Sequence, residues 1–230
     1  MDNIKFKGVT TELLTPFSTN VEIDYTALEK EVEFQLESGI NGLFVNGLAS
    51  ECLLMSDNER IRVLDTTLKV SKGKALVMAN IASNTINSAL DMLKRYEQAG
   101  ADAIAITQPM VYMYTKDAMF EYYSKLINST KLPVYIYNAP QSSNTLAPDL
   151  VARLVNENNN VRGYKDSTQD IIHLQTLMSL IKKEKYFEFI SGSDATILPI
   201  MLLGGVGVVS LISSVFPKLI IDLCNAYFEG

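Results

Sequence analysis

Eight times along the chain, a short and nearly uninterrupted apolar run is followed by a longer amphipathic segment. An apolar run of four to six residues suits a strand covered on both faces. An amphipathic stripe suits the helix that covers it. Alternation of the two specifies βαβ units and a parallel sheet. Ser38-Gly39-Ile40-Asn41-Gly42-Leu43-Phe44-Val45 shows the pattern, and Ala99-Gly100-Ala101-Asp102-Ala103-Ile104-Ala105-Ile106 repeats it. Each has a glycine where a helix would end in a left-handed cap, then the buried run. The spacing predicts strands over residues 9–15, 42–45, 75–79, 103–106, 133–137, 161–165, 188–191 and 207–211. It predicts helices over residues 25–37, 57–70, 85–99, 116–129, 148–156, 171–182, 195–203 and 217–228. Ser56-Asp57-Asn58-Glu59 reads as a capping box. Asp24 and Thr115 stand where N-caps belong, and Pro148 suits a first helical turn.

Eight units in 230 residues average about 29 residues each, close to one βαβ repeat. Eight such units close a (β/α)8 TIM barrel, whose typical length is ~250 residues. A doubly wound open sheet would carry a glycine-rich nucleotide turn after an early strand. Gly47-Leu48-Ala49-Ser50 lacks that spacing, and no Walker A motif is present. With no linker or low-complexity stretch, a single barrel domain over residues 1–230 is expected.

Composition narrows the partners. The chain is 47% apolar and 20% charged, enough to bury a core, and its net charge of −6 disfavours nucleic acid. No basic run suggests an anionic membrane surface. Residues 195–217 carry no charge, but Pro199, Gly204, Gly205 and Gly207 break them, so a short helix, a turn and a buried strand are expected there. Two cysteines, Cys52 and Cys224, make no disulfide framework, and with one histidine, His173, no metal site is expected. The charged start of the chain is unlike a signal peptide, so a cytoplasmic protein is expected.

In a TIM barrel, chemistry sits at the C-terminal ends of the strands. In Val161-Arg162-Gly163-Tyr164-Lys165, alternation puts Val161, Gly163 and Lys165 on one face. If that face is the lumen, Lys165 ends its strand in a dry mouth, where desolvation lowers its pKa and frees an amine for Schiff-base chemistry. Otherwise it is a solvated lysine opening a loop. In Pro133-Val134-Tyr135-Ile136-Tyr137, Tyr135 and Tyr137 share a face, and Tyr137 ends its strand as Lys165 ends the next. A phenol there either shuttles protons for the lysine or is a core tyrosine with a satisfied hydroxyl.

These segments resemble the dihydrodipicolinate synthase / N-acetylneuraminate lyase family of pyruvate-dependent class I aldolases. Five motifs carry the resemblance in order. They are Leu14-Thr15-Pro16-Phe17, Val134-Tyr135-Ile136-Tyr137-Asn138-Ala139-Pro140, Gly163-Tyr164-Lys165-Asp166-Ser167, Ser191-Gly192-Ser193-Asp194, and residues 204–210. The resemblance implies a covalent imine between Lys165 and a 2-oxo acid, usually pyruvate, with no separate cofactor. It implies that Tyr137 orients the carboxylate and transfers protons. The backbone of Gly47, Leu48 and Ala49 would hold that carboxylate, and Gly192 and Val209 would line the pocket. A homodimer or homotetramer is also implied, with a tyrosine crossing between subunits. The family's C-terminal helical extension is absent from these 230 residues.

The departures from the pattern bear on function. Where the family loop carries two hydroxyl residues and a second glycine, this chain reads Gly47-Leu48-Ala49-Ser50-Glu51. The crossing tyrosine aligns with Val111, and Tyr112 is its neighbour. Glu12 interrupts an apolar strand, so it either faces the mouth as a substitute acid–base group or lines a polar pocket. The arginine that binds a second carboxylate in the synthases is missing from Gln141-Ser142-Ser143-Asn144. Polar Ser142, Ser143 and Asn144 suit substrate hydroxyl groups better than a second carboxylate, which favours a sugar-like partner. Together with Phe44-Val45-Asn46-Gly47 and Lys165-Asp166-Ser167, they resemble 2-keto-3-deoxygluconate aldolases. The expected activity is therefore a lyase joining or cleaving pyruvate and an aldehyde. A synthase-type or dehydratase enzyme on another 2-oxo acid and a low-activity 2-oxo-acid-binding paralogue remain the alternatives. Cys52 is expected to be an inert buried thiol and His173 to be structural.

Overall fold

The computed structural model describes residues 6–140 and 142–230. Gln141 and the first five residues, on which the leader argument rests in part, lie outside them. Eight parallel strands close in chain order. They are β1 (Gly8–Glu12), β2 (Gly42–Val45), β3 (Leu76–Ile81), β4 (Ala103–Thr107), β5 (Val134–Asn138), β6 (Val161–Asp166), β7 (Glu188–Ser191) and β8 (Gly207–Ser210). Helices α1 (Tyr25–Ser38), α2 (Asp57–Ser71), α3 (Ile86–Ala99), α4 (Lys116–Ile127), α5 (Pro148–Glu157), α6 (Ile171–Leu180), α7 (Ile197–Leu202) and α8 (Pro217–Glu229) alternate with them. The barrel expected from the repeat is therefore present, with β1 meeting β8 through Gly8↔Gly207 to Thr11↔Ser210.

Local chemistry accounts for the element ends. Gly39 and Gly100 take the left-handed conformation after α1 and α3, as the helix–glycine–strand pattern requires. Asp24, Ser56, Thr85 and Thr115 accept backbone N–H bonds at their helix starts, and the Ser56–Glu59 capping box is complete. Most boundaries fall within two residues of expectation, and two differences bear on the site. Strand β1 ends at Glu12 rather than at residue 15. The uncharged stretch from residue 195 begins with a 3₁₀ turn, Asp194–Thr196, and yields only the six-residue α7. Pro199 and Gly204 limit that helix. Among the described residues no helix is long and apolar enough to cross a membrane.

Two apolar layers separate inside and outside. Side chains such as Leu43, Val45, Ile104, Ile106 and Val134 pack outward under the helices. Phe6, Phe44, Met78, Tyr135, Tyr137, Ile190 and Val209 pack inward and fill the lumen. The lumen floor is polar at its centre. Glu188, fully buried, accepts hydrogen bonds from the Tyr135 hydroxyl (2.7 Å), the Tyr186 hydroxyl (2.7 Å) and the Phe6 backbone N–H (3.3 Å). Phe6 closes edge-on against Tyr135, ring centroids 5.3 Å apart.

Candidate active site

At the opposite end of the lumen, Lys165 occupies the position expected of it. It is the penultimate residue of β6, on the inward face, and is 0% exposed. Tyr137 is its register partner on β5. The Lys165 ammonium lies 3.7 Å from the Tyr137 ring centroid and 4.2 Å from that of Phe44 on β2. The two rings meet edge to face with centroids 5.9 Å apart. Phe44 is thus a wall of the site, a role its place in an ordinary apolar run did not assign to it.

The fourth member is Glu12. Gly8, Thr10 and Glu12 share the inward face of β1. The Glu12 side chain, 6% exposed, reaches Lys165 with Oε2 3.3 Å from Nζ. Its other oxygen, Oε1, accepts the Ala49 backbone N–H at 3.0 Å. A β-carbon on Gly47 would overlap that same oxygen, so the absent side chain at residue 47 makes room for the carboxylate. Glu12 therefore faces the mouth, beside Lys165.

The charge on Lys165 runs against the expectation from burial. Desolvation pushes its pKa down, but the Glu12 carboxylate and the adjoining Tyr137 together push it up further. The net shift is upward, so the resting lysine is protonated. Burial alone would have favoured the neutral amine. The sequence argument lacked the counter-ion, which is contributed by a residue 153 positions away.

The loop after β2 is held rigidly. Asn46 adopts a left-handed conformation (φ 58°) and donates to the Arg60 carbonyl and the Tyr96 hydroxyl. Ser50 Oγ donates to the Gly47 carbonyl at 2.7 Å, so the residue in place of the family's second glycine closes the loop on itself. Arg60 straps the loop from outside, donating to the carbonyls of Cys52 (2.7 Å) and Ala82 (3.2 Å). Cys52 is buried, which pushes its thiol up to about 11, as an inert cysteine requires. Leu48, half-buried, packs on the lumen cluster. A depression of about 340 Å³ lined by Leu48, Ala49, Leu53, Leu54 and Met110 opens beside it.

Other expected site residues are placed less directly. Val209 is inward and buried on β8. The Gly192 N–H donates to the Asp166 carbonyl (2.7 Å), and its own carbonyl accepts from Ser167 Oγ (2.8 Å). Tyr112 is not brought to the cluster; it is 69% exposed on the loop after β4, next to Val111 in a left-handed conformation (φ 75°). Ser142, Ser143 and Asn144, expected to suit substrate hydroxyls, instead tie that loop down. Ser142 Oγ donates to Pro109, Ser143 Oγ to Val111, and Asn144 Nδ2 to both Pro109 and Tyr112. Asn144 Oδ1 also accepts the Tyr114 N–H. Their polarity is consumed internally. His173 stacks on Tyr164 on the outer face, its Nε2 2.8 Å from the hydroxyl, a structural arrangement. Among the described residues no group of His, Cys, Asp and Glu is arranged to hold a metal ion.

A closed eightfold barrel with a buried lysine at the end of the sixth strand, beside a tyrosine at the end of the fifth, is the frame of a lysine-dependent barrel protein. The chain belongs to the dihydrodipicolinate synthetase family, whose model matches residues 5–230. It is 32% identical over 227 residues to a 4-hydroxy-tetrahydrodipicolinate synthase from Thermotoga sp. (strain RQ2), covering 98% of this chain and 77% of that one. The crystal structure of dihydrodipicolinate synthase from Thermotoga maritima superposes with a TM-score of 0.94 at 31% identity, covering 99% and 77% of the two chains. The chloride-inhibited dihydrodipicolinate synthase from Acinetobacter baumannii, solved in complex with pyruvate, gives 0.90 at 26% identity, covering 97% and 76%. These relatives are named as synthases. They do not extend to the finer likeness to 2-keto-3-deoxygluconate aldolases.

Proposed function

We propose that the chain is a lysine-imine enzyme that joins a 2-oxo acid, with pyruvate as the first candidate, to a carbonyl or imine acceptor. The observation that carries this reading is Lys165, wholly buried at a strand end against the Tyr137 ring. In this scheme the Lys165 amine adds to the C2 carbonyl and water leaves, giving a protonated imine. Loss of a C3 proton gives an enamine, whose C3 forms the new bond to the acceptor. Hydrolysis then restores the lysine. Tyr137, whose ring centroid lies 3.7 Å from the Lys165 nitrogen, is positioned to carry protons in these steps. The names of the relatives favour synthase-type condensation over cleavage of a 2-keto-3-deoxy sugar acid. The internal bonding of Ser142, Ser143 and Asn144 removes the main support for the sugar-acid reading.

Borohydride reduction in the presence of pyruvate tests the assignment. An adduct is expected on the peptide carrying Lys165, and none in Lys165→Ala. No adduct at millimolar pyruvate overturns the imine reading. A panel of aldehyde and imine acceptors then separates synthase, aldolase and low-turnover binder. The same reading includes self-association through the exposed apolar rim of Leu53, Leu54, Val111, Tyr112 and Met113 beside the mouth. Sedimentation at micromolar concentration is expected to show a dimer or tetramer, reduced in mass by Leu54→Asp with Met113→Asp.

A further inference from the structure

The Ala49 N–H points at a carboxylate already, and that carboxylate belongs to the chain itself. Glu12 Oε1 accepts it at 3.0 Å in the room left by Gly47, while Oε2 faces the Lys165 ammonium at 3.3 Å. A 2-oxo acid bound as an imine on Lys165 would place its own carboxylate next to the same nitrogen. Two carboxylates cannot share one N–H donor and one ammonium without like-charge repulsion in a buried site. We propose that Glu12 is a resident competitor, an internal carboxylate that occupies the substrate-carboxylate position and must vacate it before a 2-oxo acid binds. This rests on the imine reading above and adds a built-in limit on substrate affinity.

The geometry also supplies a way out of the blocked state. Transfer of one proton from Lys165 Nζ to Glu12 Oε2 converts ammonium and carboxylate into amine and carboxylic acid, with no net change in charge. The neutral acid is a poorer acceptor for the Ala49 N–H than an incoming carboxylate. The same transfer frees the lone pair that attacks the carbonyl. Displacement of Glu12 and activation of Lys165 are then one event. The other groups that face the pair are the Tyr137 and Phe44 rings against Lys165, with the Cys52 thiol close enough to feel the Glu12 charge.

Pyruvate-dependent borohydride trapping, run as a concentration series, tests the competition. Glu12→Ala empties the position, so half-saturating pyruvate is expected to fall about tenfold or more. Its trapping rate at saturation is expected to fall as well, because the proton acceptor is gone. Tighter binding with slower imine formation is a split that a merely structural role does not produce. Glu12→Gln keeps the size and removes the charge, and serves if the alanine variant does not fold. It is expected to shift half-saturation the same way, by a smaller factor. Unchanged or weaker pyruvate binding in variants that keep the wild-type circular dichroism overturns the competition and leaves the imine intact. Adducts absent from wild type and variants alike overturn the imine reading and this inference with it.

Discussion

At the scale of single residues, the Glu12–Lys165 pair sets the pH behaviour of the site. An opposite charge within about 4–6 Å favours the charged form by about 1–3 pKa units. Lys165 is raised, so wild-type imine formation is expected to climb towards alkaline pH. In Glu12→Gln that limb is expected to move about 1–3 pH units lower and to level off at a lower maximal rate, because the proton acceptor is gone, both read from the pH dependence of trapping rate. The linked stability has a definite sign. A lysine raised in the folded state contributes fully below its unfolded value near ~10.4 and loses the contribution as pH rises through the folded value. The melting difference between wild type and Glu12→Gln should therefore persist at neutral pH and shrink only in strong alkali. Tyr137→Phe keeps the ring that stacks on Lys165 and removes the hydroxyl. Its trapping and turnover are expected to fall about 100-fold, the lower end of what a positioned acid–base group contributes, with little change in fold by circular dichroism.

At the scale of elements, the lysine is aimed by its neighbours on β5 and β6. Gly163, two residues before Lys165, lies against the Tyr135 ring, and a β-carbon there would overlap it. Tyr135 then has room to cross the lumen and reach Glu188. Gly163→Val is expected to cost about 1–3 kcal/mol through overpacking, measured by urea unfolding. Ser56→Ala, which removes one arm of the capping box on α2, is expected to cost about 1 kcal/mol. Most element positions were legible in the sequence because glycine stops and caps act locally. Strands β2 and β7 have the anticipated bounds, and the inward placement of Lys165 and Tyr137 was legible because alternation and strand-end position are local too. What stayed hidden was pairing across the lumen. The anomaly of Glu12 was visible, but not its partners, which come from β6 and the loop after β2. The polar run 142–144 misled for the same reason, since its acceptors belong to another loop.

At the scale of the whole molecule, the two ends of the lumen differ in kind. The mouth end holds a cation and an anion, Lys165 and Glu12, and the far end is plugged by Phe6, Tyr135 and Glu188, none more than 1% exposed. The barrel is therefore a blind cup. Whatever reaches Lys165 arrives over the rim and departs over it, and nothing drains through the base. A reactant fixed at the bottom must be covered by the one that follows, so the order of arrival is dictated by depth. Under the proposed function, the 2-oxo acid would come first, the acceptor second, and the joined product would clear the rim before the next acid could descend.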